Sequence, residues 1–189
     1  MNSKLKTTLV IFIIAAVILF AVYGVNEMKN KTNSNENKKV LLQTNMGNIE
    51  IELFSKDMPI TTGNFENLVK KGTYDGVIFH RVIPGFMIQG GDPTGTGYGD
   101  PKIPNIKDEF TANNKNDRGT IAMANAGPNT GSSQFFINLA NNNFLDTKHP
   151  VFGKVVSGMD VVDKIANVKT GVNDRPLTEV KIIKAKMVG

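Results

Sequence analysis

Residues 40–53 read VLLQTNMGNIEIEL, and this stretch decides the fold class. Val40 to Thr44 is an apolar run ending in a β-branched residue, Asn45-Met46-Gly47 has turn chemistry, and Asn48 to Leu53 alternates polar with apolar. Alternation with period two puts Ile49, Ile51 and Leu53 on one face of a half-buried strand. Two such runs around a glycine-bearing turn predict an antiparallel hairpin. Further along, Val77–Val82 and Phe86–Gln89 are short β segments split by Pro84-Gly85, and Gly119–Ala124, Gln134–Leu139 and Val151–Val156 continue the pattern. Thr178–Val188 alternates again, with one slip of phase, and is expected to be the closing strand. Two segments differ. Pro59–Lys71 carries Phe65, Leu68 and Val69 at helical spacing, with proline in the first turn and Gly72 as a stop. Val161, Ile165 and Val168 predict a second, shorter helix after Gly158. Roughly eight short strands and two helices, without βαβ alternation, point to a closed antiparallel barrel or a sandwich.

Upstream of the hairpin the composition changes. Thr7 to Asn26 carries no charge, and Leu9 to Val22 is almost wholly Leu, Ile, Val, Phe and Ala. Residues 26–39, NEMKNKTNSNENKK, are nearly all polar and are expected to be a disordered linker. A spanning helix needs about 17–25 apolar residues, and a signal-peptide core about 7–15 followed by a small-x-small site. Leu9 to Val25 falls in the first range, and the residues after it offer no A-x-A site. Residues 1–25 therefore read as an N-terminal apolar helix that anchors the chain in a membrane through residues 7–26, with a cleaved signal as the alternative. Lys4 and Lys6 orient the N-terminus to the cytoplasm and place the domain at residues 40–189 outside it. In the alternative the domain is secreted after cleavage.

Charge and cysteine content exclude several functions. Residues 1–39 hold six Lys and two Glu, whereas residues 40–189 hold 16 basic and 15 acidic residues. The basic excess lies outside the domain, so nucleic acid is not the expected partner. With no cysteine there is no disulfide framework, thiol nucleophile or zinc–thiolate site. His80 and His149 stand far apart and outside any metal-ligand spacing, so no metal is expected. Gly95-Thr96-Gly97-Tyr98-Gly99 lacks G-x-G-x-x-G spacing and a following helix, and reads as a surface turn. Ser132 and Ser133 lack a G-x-S-x-G setting.

Residues 79–92, FHRVIPGFMIQGGD, offer an arginine among bulky apolar side chains and no nucleophile. Phe79 and Arg81 share a strand face, as do Met87 and Gln89. Alone, the segment reads as easily as core plus a surface charge. Four further motifs change that: MANAGPNT at 123–130, GSSQFFI at 131–137, FLDTKH at 144–149 and VFGKV at 151–155. In this order and spacing they resemble the cyclophilin family of peptidyl-prolyl isomerases, from about Val40 to Val188. The short loop Gly91–Gly97 resembles the compact bacterial-type members.

The resemblance implies a mainly β fold, a closed eight-stranded antiparallel barrel with two capping helices, and an isomerase needing no cofactor. It implies that Arg81 is the catalytic arginine, with Gln89 and Asn125 beside it in the catalytic set. Phe86, Met87, Phe136 and Leu145 match the proline pocket, Ala124 and Gln134 match groups holding the peptide backbone, Gly95 and Ala126 the neighbouring subsite, and His149 the rim. His80 reads as packing or a local hydrogen bond. Phe144 stands where many members have Trp, which weakens the contact expected with cyclosporin. The expected partners are proline-containing peptides and unfolded clients, met by a monomer that assists folding of exported proteins at the membrane. A proline-peptide-binding chaperone or scaffold with incidental turnover is the alternative.

Overall fold

A computed structural model describes residues 19–21, 23 and 38–188. The anchor expected over residues 1–25 and the linker over 26–39 lie outside the described residues, apart from helical residues 19–21 and 23 and the pair Lys38 and Lys39. Among the described residues no helix is long and apolar enough to cross a membrane. Lys39, assigned to the linker from sequence, is the first residue of a strand.

Strands β1 (Lys39–Thr44) and β2 (Gly47–Leu53) form the expected hairpin, with Thr44 opposite Gly47 and Lys39 opposite Glu52. The Thr44 hydroxyl secures the turn by donating to the Gly47 carbonyl (2.6 Å) and accepting from the Met46 N–H (3.0 Å). Val40, Leu42, Ile49, Ile51 and Leu53 are fully buried on the inner face. The remaining strands are β3 (Arg81–Ile83), β4 (Met87–Gly90), β5 (Thr120–Met123), β6 (Phe135–Asn138), β7 (Val151–Ser157) and β8 (Ile182–Val188). All eight join one sheet in the order β3-β4-β6-β5-β7-β2-β1-β8, and every ladder is antiparallel.

The sheet curls into a half-barrel, which corrects the expectation of a closed eight-stranded barrel. The edge strands β3 and β8 share no ladder. Pro84-Gly85 turns the chain back after Ile83, and β3 is only three residues long because pairing with β4 begins at Arg81. Between the edges there is a single bridge, Ile78 with Lys181, flanked by hydrogen bonds from Phe79 N to Val180 O (2.8 Å) and from Gly76 N to Ile182 O (2.7 Å).

Helix α1 (Pro59–Lys70) carries no N-cap bond of its own. Glu109 supplies the acceptors instead, taking the N–H of Ile60 (3.1 Å), the N–H of Thr61 (2.8 Å) and the Thr61 hydroxyl (3.0 Å). A carboxylate there also suits the positive end of the helix dipole. From α1, Phe65 packs into an aromatic core, with ring centroids 5.1 Å from Tyr74, 5.5 Å from Phe135 and 5.2 Å from Phe152. Helix α2 (Met159–Ala166) follows Gly158, whose φ is +87° and where any Cβ would collide with the Asn48 carbonyl. It ends at Ala166, two residues short of Val168, which packs against the core without being helical.

Candidate active site

Pairing of four strands builds the floor of the site. Arg81 on β3 faces Gln89 on β4, Gln89 faces Phe136 on β6, and Phe136 faces Ala122 on β5. Cross-strand partners share a face, so these four side chains form one row across the outer side of the sheet. Alternation along β4 and β6 sends Ile88, Phe135 and Ile137 to the inner core and leaves Met87 and Phe136 outside it. Met87, Ala122, Phe136 and Val151 make a second buried cluster there, against which Phe86 and Leu145 pack.

Over this floor lies a cavity of about 310 Å³ lined by Arg81, Phe86, Met87, Gln89, Ala124, Asn125, Phe136, Leu145 and His149. Nine of the thirteen site residues expected from sequence thus meet in one place. Its wall is set by the turn at residues 142–149. Asn114, itself buried, donates to the carbonyls of Asp146 (2.6 Å) and His149 (3.1 Å) and accepts from the Val151 N–H (2.7 Å). Asp146 in turn accepts from the Asn116 N–H (2.7 Å). Burial alone would raise the Asp146 pKa, but hydrogen bonds from Asn116 and Lys115 together hold it below the usual carboxylate value. The His149 ring stands edge-on to Phe136 at 5.4 Å, with Nδ1 3.0 Å from the Met123 carbonyl. Asn125 uses its side chain to donate to the Lys148 carbonyl (2.8 Å). Its backbone N–H and carbonyl take no partner among the described residues.

Gln134 and Ala126 line a larger neighbouring cavity of about 590 Å³ that shares Gln89, Ala124 and Asn125 with the first. Gln134 joins the two by accepting from Gln89 Nε2 (3.0 Å) and donating to the Gly97 carbonyl (3.0 Å). Phe144 sits outside the first cavity, exposed and stacked on Phe86 at 5.9 Å and 18°.

Gly95 lines neither of these two cavities. Its carbonyl accepts from Arg175 Nη1 (2.8 Å) and its Cα faces Ile78, while the next glycines of the loop, Gly97 and Gly99, reach the larger cavity. The organiser of this loop was not singled out from the sequence. Asp92, fully buried, accepts from Thr94 N (2.9 Å) and Oγ1 (2.8 Å) on one oxygen, and from Thr96 Oγ1 (3.2 Å), Gly97 N (2.7 Å) and Gly99 N (3.2 Å) on the other. Burial alone would raise its pKa, but these donors outweigh it and hold the carboxyl below its ordinary value. An aspartate opening a T-G-T-G run is the signal that could have found it, since Asp side chains bond to backbone N–H groups two or more residues on.

His80 packs beside this loop, and its Nδ1 has no partner among the described residues, so the expectation of a local hydrogen bond is not met at that atom. Burial, with the nearby Arg175 and Arg81 cations, holds its pKa below the usual histidine value against the opposing pull of Asp92. Among the described residues no group of three or more acidic or histidine side chains could hold a metal ion. Asp174 is a second unforeseen residue, with Oδ2 3.3 Å from Arg81 Nε.

Comparison with known proteins places this geometry. The family model for cyclophilin-type peptidyl-prolyl cis-trans isomerases matches residues 39–187. The chain is 50% identical over 152 residues to peptidyl-prolyl cis-trans isomerase-like 1 of Gibberella zeae, covering 79% of this chain and 94% of that protein. It is 54% identical over 149 residues to peptidyl-prolyl cis-trans isomerase ppi1 of Schizosaccharomyces pombe, covering 77% and 96%. These relatives are eukaryotic, unlike the bacterial-type members that the short glycine loop suggested. A crystal structure of a cyclophilin-type isomerase from Cryptosporidium parvum superposes with a TM-score of 0.77 at 34% identity, over 81% of this chain and 98% of that one. A second crystal structure of that isomerase, in the presence of the dipeptide Ala-Pro, gives 0.76 at 36% identity, over 80% and 99%. With a shared fold, a family model matched over residues 39–187 and this breadth of sequence identity, the chain belongs to the cyclophilin-type peptidyl-prolyl cis-trans isomerases, and it is an isomerase.

Proposed function

We propose that the domain accelerates rotation about X-Pro bonds in protein substrates, with the proline ring in the 310 Å³ cavity and Arg81 acting on the prolyl nitrogen. The observation that carries this reading is a guanidinium at the edge of a small apolar-floored cavity. Rotation about a peptide bond costs about 18–20 kcal/mol because the C–N bond is partly double. No covalent bond breaks, so neither nucleophile nor base is needed. The site must favour the twisted amide over both planar forms. In the twisted state the nitrogen regains a lone pair, and Arg81 donates a hydrogen bond to it. Arginine suits this role because it stays protonated and presents a rigid fork of donors. Phe86, Met87, Phe136 and Leu145 grip the ring, while Gln89 and the free backbone of Asn125 hold the preceding residue. One side of the bond is held and the other turns. The relative crystallised with Ala-Pro supports a proline-containing peptide as the ligand class.

A preorganised donor of this kind is worth roughly 3–4 kcal/mol, judged from oxyanion-hole deletions. Arg81→Ala is therefore expected to cut turnover of an Ala-Pro tetrapeptide by about a hundredfold or more. Circular dichroism serves as the check that the variant is folded. Wild-type rates in a folded variant exclude the assignment.

In the same reading cyclosporin binds weakly, because Phe144 has no indole N–H to donate; Phe144→Trp is expected to tighten it in a competition assay. The 17 residues from Leu9 to Val25 would reach about 26 Å as a helix, which suits a membrane anchor with the domain outside the cytoplasm. There the domain would assist the folding of exported proteins. Release of the full-length protein by alkaline extraction of membranes, or a mature chain short of residues 1–25 by mass, overturns the anchor.

A further inference from the structure

The side chain of Arg81 is long, nearly half exposed and pivots on several rotatable bonds, yet its role requires one orientation. Among the described residues its one hydrogen bond runs from Nε to Asp174 Oδ2 at 3.3 Å. The terminal nitrogens, which form the fork, have no hydrogen-bond partner among the described residues, and Arg81 lines the cavity. Asp174 itself is well held. Residues 170–176 form a tight loop, bridged between Thr170 and Pro176 and closed by a hydrogen bond from Gly171 N to Arg175 O (2.8 Å). Asn173 and Asp174 both stand at φ 58°, in the left-handed region that Asn and Asp tolerate better than other side chains. On the far side Arg175 Nη1 donates to the Gly95 carbonyl at 2.8 Å. The loop therefore grips the β3 edge at Arg81 and the glycine loop at Gly95, and delivers a carboxylate to the back of the guanidinium.

We propose that Asp174 is a positioning residue for the isomerisation: it holds Arg81 by Nε so that the terminal N–H groups point at the prolyl nitrogen. This inference rests on the reading of Arg81 given above. A carboxylate beside a guanidinium also cancels part of its positive field, so the alternative role is attenuation, and the two have opposite signs. Positioning predicts a slower enzyme when the acceptor is removed. Attenuation predicts a faster one.

Three variants decide it. Asp174→Gly removes the acceptor and keeps the left-handed backbone. Asp174→Asn keeps an acceptor oxygen and the same backbone, and loses the charge. Arg81→Lys has no Nε–H for Asp174 to hold. Interconversion of a saturating Ala-Pro peptide is followed by exchange NMR, which yields the on-enzyme rate and the Kd separately. The expected results are an on-enzyme rate about tenfold lower in Asp174→Gly at unchanged Kd, recovery to within about threefold of wild type in Asp174→Asn, and no further loss when Asp174→Gly is added to Arg81→Lys. A wild-type or faster rate in Asp174→Gly overturns the inference. So does the same tenfold loss in the Arg81→Lys background, because that is the mark of a general structural defect. Arg81→Ala run alongside separates the two levels. Full activity there removes the reading of Arg81 and the inference with it. Loss there beside an unaffected Asp174→Gly removes the inference alone.

Discussion

Replacing Asp92 by Asn tests how the glycine loop is held, and its cost can be worked from the contacts. The carboxylate is fully buried and accepts five hydrogen bonds, two on Oδ1 and three on Oδ2. An amide of the same shape can turn its oxygen to the three donors of Thr96, Gly97 and Gly99. Its NH₂ group then faces Thr94. The Thr94 hydroxyl can rotate and accept, but the Thr94 N–H is left against another donor, at a cost near the low end of about 1–3 kcal/mol because that residue is exposed. The three bonds that remain lose their charge assistance, roughly half their strength. Together these amount to about 2–4 kcal/mol. For a domain of this size that lowers Tm by about 5–15 °C. The pH dependence has a definite sign. The folded pKa of Asp92 lies below its ordinary value of 3.8. Its contribution is therefore present above 3.8 and is lost as pH falls through the folded value. Thermal unfolding of wild type and Asp92→Asn, followed by circular dichroism from pH 7 to pH 3, should show a gap that narrows below about pH 4. A Tm within 2 °C of wild type at neutral pH, or a gap as wide at pH 3 as at pH 7, refutes the reasoning.

Two other substitutions probe the supports of the site. Asn114→Ala removes the side chain that ties Asp146, His149 and Val151 together, at about 2–4 kcal/mol, and should raise KM more than it lowers kcat because Leu145 and His149 lose their fixed wall. Denaturant unfolding and peptide titration check the two parts. Glu109→Ala strips the acceptors from the first turn of α1 and is expected to cost about 1–2 kcal/mol with turnover unchanged, measured by calorimetry beside the isomerase assay.

Much of the fold was legible because its strands announce themselves locally. Alternation in NIEIEL placed Ile49, Ile51 and Leu53 inward, where they are fully buried. Pro59 and Gly72 bracket α1 as expected. Features that depend on distant parts of the chain were not legible. Nothing within residues 77–83 says that β3 will be three residues long, because its length is decided by which backbone groups find partners on β4 and near β8. The cap of α1 comes from Glu109, nearly fifty residues away. Within the site, the apolar and arginine positions were readable from their motifs, whereas the course of the glycine loop past the larger cavity was not. That loop winds around the Asp92 carboxylate, so which glycine meets the cavity depends on hydrogen bonds rather than on order along the chain. Asp174 was invisible for the same reason, since it meets Arg81 across 93 residues.

The row Arg81, Gln89, Phe136 and Ala122 shares its strands with the aromatic core, and only the pleat separates them. Foldability and activity are therefore interleaved letter by letter along β4 and β6. A comprehensive substitution scan scored separately for abundance and for isomerase turnover should oscillate with period two through both strands. At Ile88, Phe135 and Ile137 abundance should fail first. At the part-exposed Gln89 turnover should fail while the protein persists, whereas at Met87 and Phe136, buried in the second cluster, both should fall. Specificity can drift at Arg81 and Gln89 without touching what keeps the domain folded, whereas a single-residue slip of β4 against β6 would forfeit both at once.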